Sequence, residues 1–395
     1  MDYSRVCQDL ASDVDGLVID PRSLYARFLR VPDFRKRRGK RYELALLLVM
    51  WVLAKLAGEN TPAGVTHWVQ ERRLLFLDAF QLRYPHMPAA NTFRRIAGNE
   101  GLLKHLEALT RQAFAPEGSA TPPTHVALDG KKLRRIAAAE GDQGTWLVAV
   151  FAPQSGVVLQ QVRVAHRSNE IPAALEAVKG LDLRGKVVTA DALHTQRELS
   201  AYITGAGGHY VWVAKGNQPN LARDIAQVFA PEVLLPGTSA VITDLASAHT
   251  LEKGHGRIER RAITTSRIGA EDYPWPGIQQ VFKLTRSTQL LASGETRSEI
   301  VYGLTSLPDA TPEQLLALLR EHWAIENNLH WPRDVLFQED RLRSDFPILG
   351  HWVAALHNLL IAFLHRRGQH SLAIARRFFA AHPDQALRAL FDPLP

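Results

Sequence analysis

Two short apolar runs, HVALD (125–129) and KVVTAD (186–191), each end in an aspartate, and around them strand-like and helix-like stretches alternate. That alternation constrains the fold most, because buried strands joined through helices pair in parallel, with each helix serving as a crossover. TWLVAVFA and VVLQQVRV flank PQSG and read as a hairpin; SNEIPAALEAVKGL and TQRELSAYITGAG read as helices, and HYVWVAK as a further buried strand. The order predicts an α/β fold: a mixed sheet with crossover helices. Over 221–306 the alternation stops and RIERRAITTS, VFKLTRSTQ and SEIVYGLTS dominate, so a β-rich insertion is expected there. A long helix, PEQLLALLREHWAIENNLHW, follows, and the residues from 350 onward read as amphipathic helices.

Ahead of the sheet the period is helical. YELALLLVMWVLAKLAG is an apolar core helix ended by Gly58, TPAGVTHWVQERRLLFLDAF carries a Thr-Pro start, and NTFRRIAGN opens on Asn91 as a cap. Such helices form either a small bundle or a helix-turn-helix in which NTFRRI, bearing Arg94 and Arg95, meets DNA. APEGSATPPT reads as a linker. The expected division is a small all-helical region over 1–115 with a basic arm, a catalytic domain over 122–349, and C-terminal helices over 350–395.

Composition narrows the partners. Lys and Arg exceed Asp and Glu by 47 to 40, a net +7, and the stretch 27–41 (RFLRVPDFRKRRGKR) carries eight cations and one Asp, a net charge equal to the whole chain's excess. Clustered cations gain affinity for nucleic acid by releasing its counterions, whereas a solvated charge run gains nothing. Arg35, Lys36, Arg37 and Arg38 are the candidate contacts in this arm, and Lys131 and Lys132 form a second cluster after the first Asp. The single cysteine, Cys7, excludes a disulfide framework or Cys-rich zinc module. The longest apolar run is eleven residues, short of a membrane span, and the opening MDYSRVCQDL lacks an export signal's basic start and apolar block. A soluble cytoplasmic protein without a membrane partner is expected.

The two strand-end acids, Asp129 and Asp191, belong where sites form in open sheets, at the carboxyl ends of parallel strands. Singly, each has a structural use, Asp129 in an Asp-Gly turn and Asp191 as a helix cap. Glu326 is the third acid: Leu315, Leu319, His322, Glu326, Leu329 and Arg333 recur at helical steps, which places Glu326 on the packing face of the long helix. Two Asp and one Glu make an all-oxygen site suited to two Mg²⁺ or Mn²⁺ ions and to phosphodiester cleavage or transfer. A zinc site on His322, Glu326 and His330 fails, because the outer two lie about 12 Å apart along a helix. No GxxxxGK loop is present, which argues against an ATP-driven motor.

ALDGKKLR around Asp129, TADALHTQ around Asp191, VAKGNQPNL, HGRIERR, and REHWAIENNLHWPRDVLFQEDR around Glu326 together resemble bacterial insertion-sequence transposases of the DDE type, in the branch containing the H-repeat-associated proteins. The resemblance covers the chain from DFRKRRGKRYELALLL to about residue 345. It implies a ribonuclease H-like fold with a β-rich insertion, and Asp129, Asp191 and Glu326 as catalytic, metal-binding triad. It also implies Lys215 and Arg333 as phosphate contacts. The Tyr, Arg, Glu, Lys series of related enzymes reads Leu319, His322, Glu326 and Arg333 here. The implied activity is DNA transposition with two Mg²⁺ or Mn²⁺ ions on double-stranded element ends and target DNA, by at least a homodimer associated with the bacterial nucleoid. A structure-specific ribonuclease H-like nuclease and an inactive DNA-binding copy remain the alternatives.

Overall fold

The computed structural model describes residues 19–36, 40–114, 125–136, 145–164, 170–230, 244–254, 256–268, 273–344, 346–367 and 371–394. Cys7, Arg37, Arg38 and the expected linker over 115–124 lie outside them. Six helices precede the sheet: α1 (Leu24–Leu29), α2 (Leu44–Ala57), α3 (Pro62–Glu71), α4 (Arg73–Ala79), α5 (Ala90–Ala97) and α6 (Glu100–Phe114). The all-round apolar surface of α2 is buried from Leu44 through Leu56, as expected of a helix without a polar stripe. It ends at Gly58, whose φ of 105° suits a residue without Cβ, and the Gly58 and Glu59 N–H groups close onto the Lys55 and Ala54 carbonyls. The capping residue of α5 is Ala89, not Asn91; the Asn91 side chain instead accepts from Arg94 at 2.7 Å.

The sheet has nine strands in the order β3-β2-β1-β4-β5-β9-β8-β7-β6. β1 (His125–Leu133), β2 (Thr145–Ala152) and β3 (Val157–Arg163) form an antiparallel meander, and α7 (Glu170–Lys179) crosses from it to β4 (Val187–Ala190), which lies parallel to β1. α8 (Arg197–Gly205) then leads to β5 (His209–Ala214), parallel to β4. After α9 (Pro219–Val228), the insertion supplies β6 (Ala246–Gly254), β7 (Arg257–Arg267), β8 (Gln280–Leu290) and β9 (Thr296–Thr305), all antiparallel; β9 pairs with β5, so they extend one sheet.

α10 (Pro312–Glu321) opens on a reciprocal capping box between Thr311 and Gln314. It packs Leu315, Leu316 and Leu319 on one sheet face, against Val187, Val211 and the inward residues of β6–β9. The alternate residues Val188, Tyr210 and Trp212 belong to the other core, as the two-residue period of a strand dictates. That second core continues into α11 (Pro347–Arg366), α12 (Leu372–Ala381) and α13 (Pro383–Phe391), which pack with α1–α6. The two ends of the described chain meet there: Ser23 bridges Pro393, and Tyr25 stacks on Phe391 at 4.4 Å. Among the described residues α11 is long and apolar enough to cross a bilayer, but 83% of its apolar window is buried within the protein.

Candidate active site

The last paired residues of β1 and β4, Leu128 and Ala190, immediately precede Asp129 and Asp191, so parallel register sets the two acids side by side. Asp129 lies within β1, paired with Ala149 of β2, rather than at the strand's end; it is β4 that stops. The Asp191 side chain is 71% exposed where β4 gives way to a short helical turn, Ala192–His194.

The third acid arrives differently from expectation. The helix is not continuous: α10 ends at Glu321, and two π-helical turns follow, Glu326–His330 and Pro332–Leu336. Pro332 has no N–H to give the preceding turn, and the wider winding accommodates it, with the Phe337 N–H reaching the Pro332 carbonyl at 3.0 Å. Leu315, Leu319 and Leu329 are buried as expected, but Glu326 is exposed, which corrects its placement on a buried packing face. The same turn carries His330 inward. Ligand atoms of Asp129, Glu326 and His330 all lie within 4.8 Å of one another, and His330 Nε2 stands 3.1 Å from Asp129 Oδ2.

Two further histidines and a fourth acid surround this group. Gly130 lets Glu170, the first residue of α7, approach from behind. Burial first, and then the charges of Asp129 and Asp191, push the Glu170 carboxyl above its usual range. His194 Nε2 is 3.9 Å from Glu170, and burial takes that imidazole down to about 4 despite the nearby acids. His322 Nε2 is 3.9 Å from Asp191 Oδ1, and burial lowers it as well. For Asp129, burial is outweighed by the adjoining His330 and the carboxyl is held low. Glu326, exposed on one side, is partly desolvated where it meets the group, and that desolvation together with Asp129 pushes its carboxyl up.

Two carboxylates and an imidazole thus converge, and the partial desolvation of Glu326 beside Asp129 disfavours its charged form. The donor set fits a divalent cation. On a straight helix His330 lies too far from His322 to share an ion with it, and no local pattern singles out Glu170. The signals available were the glycine after Asp129, the acid opening the crossover helix, and the proline that breaks the helical winding.

The candidate DNA contacts divide by exposure. Lys36, Arg94 and Arg95 are exposed, and Lys215 is 51% exposed, 3.5 Å from Glu299. Lys132 is half-buried over the Trp146 ring. Arg35 is engaged by Asp33 at 2.9 Å and by the Tyr42 carbonyl at 2.7 Å. Two assignments are corrected. Lys131 is buried and donates to Asp334 at 2.6 Å. Arg333 is 0% exposed and donates to both Glu339 carboxylate oxygens and to Gln161, so its guanidinium is already engaged inside the protein. A groove of about 870 Å³ is lined by Trp323 and Asn327, next to Glu326 in the chain, and by Arg257, Arg260, Arg261 and Arg286 together with Glu252 and Glu259, which pair with Arg261 and Arg257.

Residues 120–357 match the family described as Transposase DDE domain, more than half of the sequence, and the chain belongs to that family. Residues 25–99 match a second family, described as DDE_Tnp_1-associated. Among its relatives is the "H repeat-associated putative transposase YhhI" of Escherichia coli K12, 26% identical over 316 residues, covering 78% of this chain and 82% of the relative. "Putative transposase YncI" of Escherichia coli O157:H7 is 27% identical over 318 residues, covering 79% and 80%. "Putative protein YbfL" of Escherichia coli K12 is 26% identical over 316 residues, 78% and 82%. The family and two of these relatives carry the transposase name and support a transposase role, as the motif resemblance implied.

Proposed function

We propose that the chain binds the ends of its own element, hydrolyses phosphodiester bonds there and joins the freed 3′-hydroxyl to target DNA, with Asp129, Asp191 and Glu326 as its catalytic acids. The observation that carries this reading is the convergence of Asp129, Glu326 and His330 within 4.8 Å, with Asp191 next to Asp129 in strand register. The β3-β2-β1-β4-β5 portion of the sheet supports a ribonuclease H-like assignment, with the helices over 1–115 as the DNA-reading part.

Asp129, Glu326 and His330 would hold one Mg²⁺ or Mn²⁺ ion, and Asp191 would serve a second beside Asp129. Such ions supply Lewis-acid activation of the attacking oxygen and stabilise the leaving one. The protein's own groups position the strand. Arg260 and the partly exposed Arg257 of the groove would meet the phosphate backbone, and exposed Trp323 offers a stacking surface to an unpaired base. Lys36, Arg94, Arg95, Lys132 and Lys215 extend the cationic surface, and two element ends call for at least a dimer.

Asp129→Asn and Glu326→Gln should each abolish cleavage of an end-bearing duplex while leaving its binding within about twofold, read by gel assays in Mg²⁺. Retained cutting by either pure variant excludes the assignment. Scrambling the terminal sequence of the substrate should remove activity, whereas a structure-specific nuclease would keep it.

A further inference from the structure

Behind Asp191 lies a chain of hydrogen bonds that the triad does not use. Val187 and Thr189 alternate on the β4 face that α10 covers, Asp191 follows just beyond the strand, and His125 opens the neighbouring β1. Thr189 and His125 are each 1% exposed. His125 Nδ1 is 2.9 Å from Glu321 Oε2 at the end of α10, and His125 Nε2 is 2.7 Å from Thr189 Oγ1. On its other side Thr189 Oγ1 is 3.0 Å from His322 Nδ1, and His322 Nε2 faces Asp191 Oδ1 at 3.9 Å.

The hydrogen positions follow from the partners. An ionised Glu321 carboxylate only accepts, so His125 carries its proton on Nδ1 and leaves Nε2 as an acceptor. The one hydroxyl hydrogen of Thr189 is then given to His125 Nε2, and the hydroxyl oxygen accepts from His322 Nδ1–H. A neutral His322 with its proton on Nδ1 has a bare lone pair on Nε2, directed at the Asp191 side of the site.

We propose that Glu321, His125 and Thr189 form a relay that fixes His322 as its Nδ1–H tautomer and presents Nε2 beside Asp191 as a nitrogen ligand for a divalent cation. This rests on the metal-site reading above. It makes His322 the counterpart of His330: each acid-bearing strand has one imidazole facing its aspartate. Oxygen ligands alone suit Mg²⁺, whereas added imidazole favours first-row ions such as Mn²⁺. Thr189, His125 and Glu321 are positioning residues, holding a ligand's ring and tautomer through its other nitrogen.

The test uses the full chain loaded with Mn²⁺ and reads ¹⁴N coupling to the metal by electron spin echo spectroscopy. In a His330→Asn background the coupling should persist, and adding His322→Asn should remove it. Thr189→Val should weaken Mn²⁺ binding about tenfold, in the range for a lost outer partner, and Thr189→Ser should restore it to within about twofold. Nitrogen coupling that survives in the His322→Asn/His330→Asn protein overturns the proposal, as does a Thr189→Val protein that binds Mn²⁺ like the parent. Should Thr189→Val not fold, the His322→Asn comparison still decides. A parent chain that binds no Mn²⁺ overturns the metal-site reading as well, which separates the two failures.

Discussion

Gly130 occupies a point that no other residue fits without moving Glu170: a Cβ there would lie 2.0 Å from Glu170 Oε2 and 2.7 Å from its Cδ. The colliding atoms end a flexible side chain, so the cost of relief is small and the consequence is displacement. Gly130→Ala should therefore leave the melting temperature nearly unchanged while weakening Mn²⁺ binding several-fold, measured by titration calorimetry. An unchanged affinity would show that Glu170 takes no part in the site. The Asp-Gly pair has the composition of a turn, yet here it runs straight through β1. Its glycine serves a close approach from a helix 40 residues along the sequence, and no local pattern records that.

At the scale of elements, the Glu326 segment is anchored by a buried polar cluster. Arg333 and His357 both bind Glu339, with His357 Nδ1 donating at 2.6 Å, while Gln161 of β3 accepts from Arg333 and Asn358. Lys55 of α2 lies nearby, and burial lowers it to about 7. The cluster ties the π-helical turns to the helical layer from both ends of the chain. Removing one partner of a buried pair leaves an uncompensated charge, so Arg333→Met should cost about 3–5 kcal/mol in denaturant unfolding. The folded fraction should keep its DNA affinity; lost affinity with unchanged stability would restore the phosphate role. His357 adds an acid sensitivity. Burial, aided by Lys55, takes its folded value down to about 3, against roughly 6.5 unfolded. Below about pH 6.5 the unfolded chain takes up a proton that the folded chain refuses, so this stability is present above that pH and is lost as pH falls toward 3. Between pH 6 and 4.5 the parent should lose about 1.4 kcal/mol per pH unit more than His357→Asn. Equal slopes in urea melts would remove His357 as the cause.

For the molecule as a whole, charge and connectivity decide. The net +7 of 27–41 equals the entire excess, but its members differ in use: Arg35 is engaged by Asp33 and the Tyr42 carbonyl, while Lys36 is exposed. Replacing Lys36, Arg37, Arg38 and Arg95 with Gln should reduce the slope of log binding constant against log salt by about 0.9 per lost phosphate contact. Arg35→Gln should instead lower stability. An unchanged slope would take the arm out of the DNA interface.

How much was legible follows from the range of the forces involved. Strand and helix periods, the Gly58 cap, the crossover order and the β-rich run that ends at Thr305 are local or repeating patterns, and the sequence determined them; the expected start of that run at 221 is corrected, because Pro219–Val228 is helical and the strands begin at Ala246. It also marked Asp129, Asp191 and Glu326, because odd residue strings around them resemble a known family. The division of the basic residues into exposed and buried was decided only by the tertiary structure. Arg333 and Lys131 look like phosphate contacts until Glu339 and Asp334 are found beside them. The same holds for His330, Glu170 and the Glu321, His125, Thr189, His322 chain, whose members are brought together across up to 196 positions. Backbone periodicity is set by neighbours a few residues away, whereas a buried side chain's partner is set by packing between distant elements, and packing alone fixed which charges meet water and which meet each other.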